Sequence, residues 1–191
     1  MSSQKSVTPT PKGLEQSVLE AKSRGLPPVH LWSPPFCGDI DMRIARDGTW
    51  FYEGSPIERF ELARLFSTIL LLEDGKYFLV TPAEKVGITV DDAPFVAVDF
   101  ECSGSGPAQV LTFETNMGET VQASADDPIR MERDAETGEP APYVHVRSGL
   151  EALIDRKSFY RLAEIGEVHE GQFGVWSGGV FFAFMPADEL E

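Results

Sequence analysis

Two cysteines, three histidines and sixteen basic side chains are all this 191-residue chain holds of the groups that usually mark a metal centre or a nucleic-acid surface. Cys37 and Cys102 stand alone, and His30, His145 and His169 are far apart, with no CxxC or Cys/His spacing. A structural zinc site is excluded on that ground, and no other metal or cofactor signature is present. Long apolar runs are missing too. The first thirteen residues are polar and rich in Pro, Thr and Ser, without the apolar stretch of a leader. The expectation is a cytoplasmic protein that does not enter the membrane, with reduced thiols and no Cys37–Cys102 bridge. Positive charge is scarce: 16 Lys and Arg face 31 Asp and Glu, a net charge of −15. Nucleic acid and anionic membrane would be repelled outside a local basic patch, so neither is expected as main partner.

What the chain does hold is a unit that occurs twice. Ser55 reads as an N-cap, Pro56 as a first helical residue and Glu58 as the capping-box carboxylate. Leu62, Ala63, Phe66, Ile69 and Leu70 follow at helical spacing, with Glu58, Glu61, Arg64 and Thr68 opposite. Asp74-Gly75 is read as the helix stop, and Tyr77 to Val80 as a buried strand. A second copy starts at the capping residue Asp155, with a helix predicted from Arg156 to Val168. Tyr160, Leu162, Ala163 and Ile165 match Phe60, Leu62, Ala63 and Leu65, and Glu170-Gly171 matches the exit pair. Between cap and exit glycine the second copy is shorter by four residues, close to one turn of 3.6.

Around these helices the pattern is β. Met42 and Ile44 alternate with Asp41 and Arg43, and Asp47-Gly48 signals a hairpin returning through Thr49 to Glu53. Val86, Ile88 and Val90 alternate, as do Val96, Val98 and Phe100. Val110–Phe113 and Thr120–Gln122 flank a turn at Asn116-Met117-Gly118, and Tyr143 to Arg147 is a strand with Val144 and Val146 inward. Strands grouped around two isolated helices indicate an α+β fold. The expected organisation is a disordered tail over 1–13, an N-terminal α+β domain over 14–82 opening with a short helix from Leu14 to Ser23, and a β-rich domain over 83–191 with one helix.

Candidate sites are few. Ser103-Gly104-Ser105-Gly106-Pro107 leads into a strand-like run instead of a helix, so it reads as a hairpin linker and not a phosphate loop. Asp39 and Asp41 form a DxD pair that reads as a solvated strand face before it reads as a cation site. No nucleophile elbow occurs, so no catalytic residue is assigned. A set predicted to face away from the core is more informative: Asp41, Arg43, Trp50 and Tyr52 on the first hairpin, and Tyr143, His145 and Arg147 on the leading strand of the second copy. Arg59 and Lys85 add charge nearby. Aromatic planes beside guanidinium groups suit a nucleotide-like anion, stacking its ring and forking onto its phosphate. Ordinary cross-strand surface pairs are the other reading of the same residues. The expected ligand position is the crevice between the two halves. An adaptor using the acidic surface or Leu31, Trp32 and Phe36 is the alternative, and a metal-dependent hydrolase using Asp39, Asp41 and His145 is a remote one.

The run from Gly38 to Tyr52, Arg59-Phe-Glu-Leu-Ala-Arg-Leu-Phe, Thr81-Pro-Ala-Glu-Lys-Val and Tyr143-Val-His-Val-Arg resemble the bacterial domain-of-unknown-function family DUF1285. The resemblance covers nearly the whole chain after the tail. It implies two domains built on a repeated hairpin–helix–strand motif, an N-terminal α+β roll and a C-terminal β-rich roll superficially like a pleckstrin homology fold. It further implies a small-ligand site at the domain interface, for something nucleotide-like, and a role in signal transduction.

Overall fold

The computed structural model describes residues 8–21 and 25–190. The chain divides into two compact units between Asp91 and Asp92.

In the first unit, α1 (Pro11–Glu20) starts where Thr10 accepts a hydrogen bond from the Gly13 N–H at 3.1 Å, with proline in the first turn. Leu14 and Val18, one turn apart, are buried. The helix therefore begins three residues before Leu14, inside the stretch expected to be a disordered tail; residues 1–7 and Ser23 lie outside the described residues. Then come β1 (Phe36–Ile44), β2 (Trp50–Tyr52), β3 (Ser55–Pro56), α2 (Phe60–Ser67), β4 (Leu70–Glu73), β5 (Lys76–Val80) and β6 (Lys85–Val90). They form one sheet of order β3-β2-β1-β6-β5-β4, in which only β1 and β6 run parallel. Met42, Ile44, Trp50, Leu70, Leu79 and Val86 are buried, as are Ala63 and Phe66 of α2, and the Trp50 and Phe66 rings pack at 6.3 Å.

The predicted capping box is overturned here. Ser55 and Pro56 pair with Tyr52 and Phe51 as β3, and α2 starts after Arg59, whose side chain caps nothing. Asp74-Gly75 does not end the helix. Both residues have positive φ (50° and 76°) and form the two-residue turn joining β4 to β5, a backbone shape that favours glycine in the second place. Because β6 completes this sheet, the boundary falls at Asp91/Asp92 and not at 82/83.

The second unit contains β7 (Phe95–Ser103), β8 (Val110–Thr115), β9 (Thr120–Gln122), β10 (Ile129–Arg133), β11 (Pro140–Arg147), β12 (Leu150–Ile154), α3 (Arg156–Glu164), β13 (Glu167–His169), β14 (Gln172–Ser177) and β15 (Val180–Pro186). One sheet has the order β10-β11-β12-β7-β8-β9, again with a single parallel pair, β12 and β7; β13, β14 and β15 form a separate meander. Phe95, Phe113, Leu111, Leu150, Ile154, Leu162 and Val175 are buried. The buried Ser177 hydroxyl ties the meander to the larger sheet, donating to the Ala123 carbonyl at 2.7 Å and accepting from the Leu111 N–H at 2.9 Å. Asp155 caps α3 as expected, accepting from the Ser158 N–H at 2.8 Å, and the helix ends at Glu164 because Glu167–His169 is strand.

The duplication holds in a corrected register. Each copy runs hairpin, short helix, hairpin. The paired positive-φ turns are Glu53-Gly54 and Asp74-Gly75 in the first copy, Ser148-Gly149 and Glu170-Gly171 in the second. From helix cap to exit glycine there are sixteen positions in both, Arg59 to Gly75 and Asp155 to Gly171, so no helical turn is missing. In this register Phe66 and Leu162 are equivalent, and both are fully buried. The copies part afterwards: the first meander joins its sheet through β6, while the second stands apart.

Candidate functional site

The hairpin register decides which side chains share a face. An Asp-Gly turn of two residues would place Arg43 opposite Tyr52. Instead the Gly48 N–H bonds to the Ala45 carbonyl and the Ala45 N–H to the Thr49 carbonyl, with Gly48 at φ 88°. That three-residue loop pairs Met42 with Tyr52, Arg43 with Phe51 and Ile44 with Trp50. A one-residue shift moves every side chain to the other face. Trp50, 2% exposed, and Tyr52 therefore lie opposite Arg43, contrary to expectation, and the aromatic beside Arg43 is Phe51, its ring 4.7 Å from the guanidinium carbon.

The face carrying Arg43 can be read off the ladders as rows across the sheet. Phe51, Arg43, Thr89 and Lys76 make one row; Tyr77 pairs with Ile88, placing Lys76 beside Thr89. Asp39, Gly87, Phe78 and Leu71 make the next, and Phe36, Lys85 and Val80 the third. Between Asp39 and Arg43 strand β1 advances four residues while β6 advances two, a bulge in the parallel seam. Such irregularities pull strands apart and often border binding sites. Here an open groove of about 350 Å³ lies beside it, lined by Asp39, Ile40, Lys76, Phe78, Gly87 and Thr89 among others.

The cations on this face are placed differently. Arg43 is ion-paired with Asp91. Lys85 bonds Glu73 at 2.7 Å and sits 4.3 Å from the centre of the Phe78 ring, against whose edge Phe36 packs at 5.9 Å. Lys76 has no carboxylate partner among the described residues. Arg59 is not in this group; it is ion-paired with Glu15, joining α2 to α1.

Tyr143 and His145 share one face of β11, but a bulge between His145 and Arg147 breaks the predicted alternation: Arg147 pairs with Leu150 and lies on the face of Phe95, its guanidinium carbon 5.5 Å from that ring. Tyr143 is buried instead of outward, packs with Ala93, Ala141 and Leu153, and donates to Asp92 at 2.6 Å. The Arg130 guanidinium lies 4.6 Å from its ring and grips Glu151 with two bonds, which raise the arginine pKa further. Arg147 holds Glu119 in a two-pronged pair at 3.0 and 2.9 Å. His145 accepts the Gly149 N–H at Nε2 (2.9 Å), which assigns its proton to Nδ1, facing Asp127 at 2.8 Å. Sequence reasoning missed Lys76, Gly87 and Phe51; only the register of four strands, β2, β1, β6 and β5, identifies them. Among the described residues no cluster of three His, Cys, Asp or Glu is placed to hold a metal, and no helix is long and apolar enough to cross a membrane.

Comparison with known proteins returns the same family twice. The N-terminal domain of unknown function DUF1285 matches residues 27–93, and the C-terminal domain of the protein of unknown function DUF1285 matches residues 94–184. The crystal structure of a DUF1285 family protein from Silicibacter pomeroyi is 63% identical, with TM-score 0.88, over 93% of this chain and 97% of that one. A DUF1285 family protein from Shewanella baltica is 31% identical, with TM-score 0.52, over 64% of this chain and 90% of that one. No curated protein matches.

Proposed function

The chain belongs to the DUF1285 family, and from that premise we propose a cytoplasmic regulatory protein whose first unit binds a small anionic, nucleotide-like molecule on the outer face of its sheet. The observation that carries this reading is a bulged, glycine-floored groove lined by Lys76, with Arg43 and Lys85 on the same sheet face, in a chain of net charge −15. In so acidic a protein three cations gathered on one sheet face, Lys76 without a carboxylate partner among the described residues, form a local exception that can take an anion. Arg43 and Lys85 are held by carboxylates and would exchange Asp91 and Glu73 for ligand oxygens. Lys76 needs no such exchange. The half-exposed Arg43–Asp91 pair contributes little to stability, so releasing it costs little. A role in signal transduction and a pleckstrin-like use of the second unit belong to this proposal. The large bent sheet, separate meander and single helix of that unit support the latter.

A thermal-shift screen with nucleotides and cyclic dinucleotides tests it. Stabilisation is expected, and the Arg43→Ala/Lys76→Ala double variant is expected to lose it. Stabilisation that survives in the double variant would remove this face as the site. The adaptor reading retains one observation of its own, since Leu31 is 71% exposed and Phe36 59%. A stoichiometric protein partner that Leu31→Ser/Phe36→Ser abolishes, with no nucleotide effect, would favour it.

A further inference from the structure

Gly87 lies in a central strand, where glycine packs nothing and weakens the ladder. Its neighbour across the parallel seam explains it. The Asp39 carboxylate occupies the space a Gly87 side chain would need, with its Cγ 3.1 Å from where a Cβ would stand and Oδ1 closer still. Any other residue at 87 would expel it. Asp39 is exposed, lines the groove, and has no hydrogen-bond donor holding it among the described residues. The glycine thus seats an unpartnered carboxylate on the floor of a groove whose neighbouring row carries Arg43 and Lys76.

A carboxylate in an anion-binding groove repels phosphate, so it must meet another part of the ligand. Ionised, it is an acceptor only, and its two oxygens suit two N–H donors side by side. Guanine presents such an edge, with N1–H beside the 2-amino group. Hypoxanthine lacks the amino group, and adenine places an acceptor, N1, next to its 6-amino donor. The rows fit this division. Asp39, Gly87 and Phe78 stand about 6.5 Å along the strands from Arg43, Thr89 and Lys76. A base over the Asp39 row would leave its phosphate within reach of the Arg43 and Lys76 row. We infer that the ligand is a guanine nucleotide whose base edge is read by Asp39 seated on Gly87. The inference rests on the proposed anion site and deepens it.

Isothermal titration of the full chain with GMP, IMP and AMP tests it, using wild type, Asp39→Asn and Gly87→Ala. The wild type is expected to bind GMP at least about tenfold more tightly than AMP, with IMP between, as good double hydrogen bonds to a base discriminate. Asp39→Asn, an isosteric change at an exposed position, is expected to lose that preference, as is Gly87→Ala. Should Gly87→Ala fail to fold, Asp39→Asn still decides. Equal affinity for GMP and AMP, or a preference that survives Asp39→Asn, overturns the guanine assignment and leaves the anion site standing. Binding of none of the three overturns both.

Discussion

Asp47 and Glu84 show how single carboxylates bias stability in opposite directions. The Asp47 carboxylate accepts the Thr49 N–H at 2.9 Å, and this bond, with the Thr49 side chain and the nearby Arg43 charge, lowers its pKa below 3.8. A depressed value stabilises the fold above pH 3.8, and the contribution is lost as pH falls through the native value. Asp47→Ala should therefore cost under about 1 kcal/mol at pH 7, shrinking toward zero near pH 2 to 3, in urea titrations at both pH values. Burial raises the Glu84 pKa above 4.5. Its ionisation opposes folding, so Glu84→Gln should stabilise modestly at pH 7 and have no effect near pH 3. The buried Trp50 is a third case, because its indole N–H has no acceptor among the described residues. Trp50→Phe should cost much less than Trp50→Ala, which should lose about 3–5 kcal/mol. Trp50 also shows where reading by residue stops. Its aromatic identity was legible, but its face depends on whether the turn has two residues or three, and Asp-Gly is compatible with both.

Between elements, the two copies of the hairpin–helix–hairpin unit make matched predictions. Gly75 and Gly171 sit at φ 76° and 78° with open space where a Cβ would go, so alanine at either meets backbone strain alone. Each substitution should cost roughly 1–2 kcal/mol, and the two costs should agree within about 0.5 kcal/mol in chemical denaturation. The caps should behave oppositely. Asp155→Ala removes a bond to the Ser158 N–H and should cost about 1 kcal/mol, while Ser55→Ala, at a strand position, should cost close to nothing. The duplication was legible because buried residues and turn glycines recur in both copies. The start of α2 was not, because Ser-Pro-x-Glu satisfies a capping box as well as the β3 pairing that the fold uses. The groove was beyond reach for a related reason: Asp39 meets Gly87, and through it the β5 hairpin strand of Lys76, only across a parallel seam between strands some fifty residues apart.

At the scale of the molecule, two units each close their own core, the first around Trp50 and Phe66, the second around Phe95, Phe113 and Leu162. Phe66→Ala should lower hydrogen-exchange protection throughout the first sheet and leave the strands of the second unit at wild-type values; equal loss in both would show a single cooperative core. The first unit carries the open groove beside Lys76, whereas Tyr143, His145 and Arg147 of the second are each held by partners within that unit. The most direct measurement is a backbone amide NMR titration of the full chain with GMP, mapped residue by residue. The account predicts saturable shifts at residues 39–43, 75–78 and 87–90, with β11 silent. Shifts confined to the Tyr143–Arg147 strand, or a spectrum unchanged at millimolar nucleotide, would contradict it.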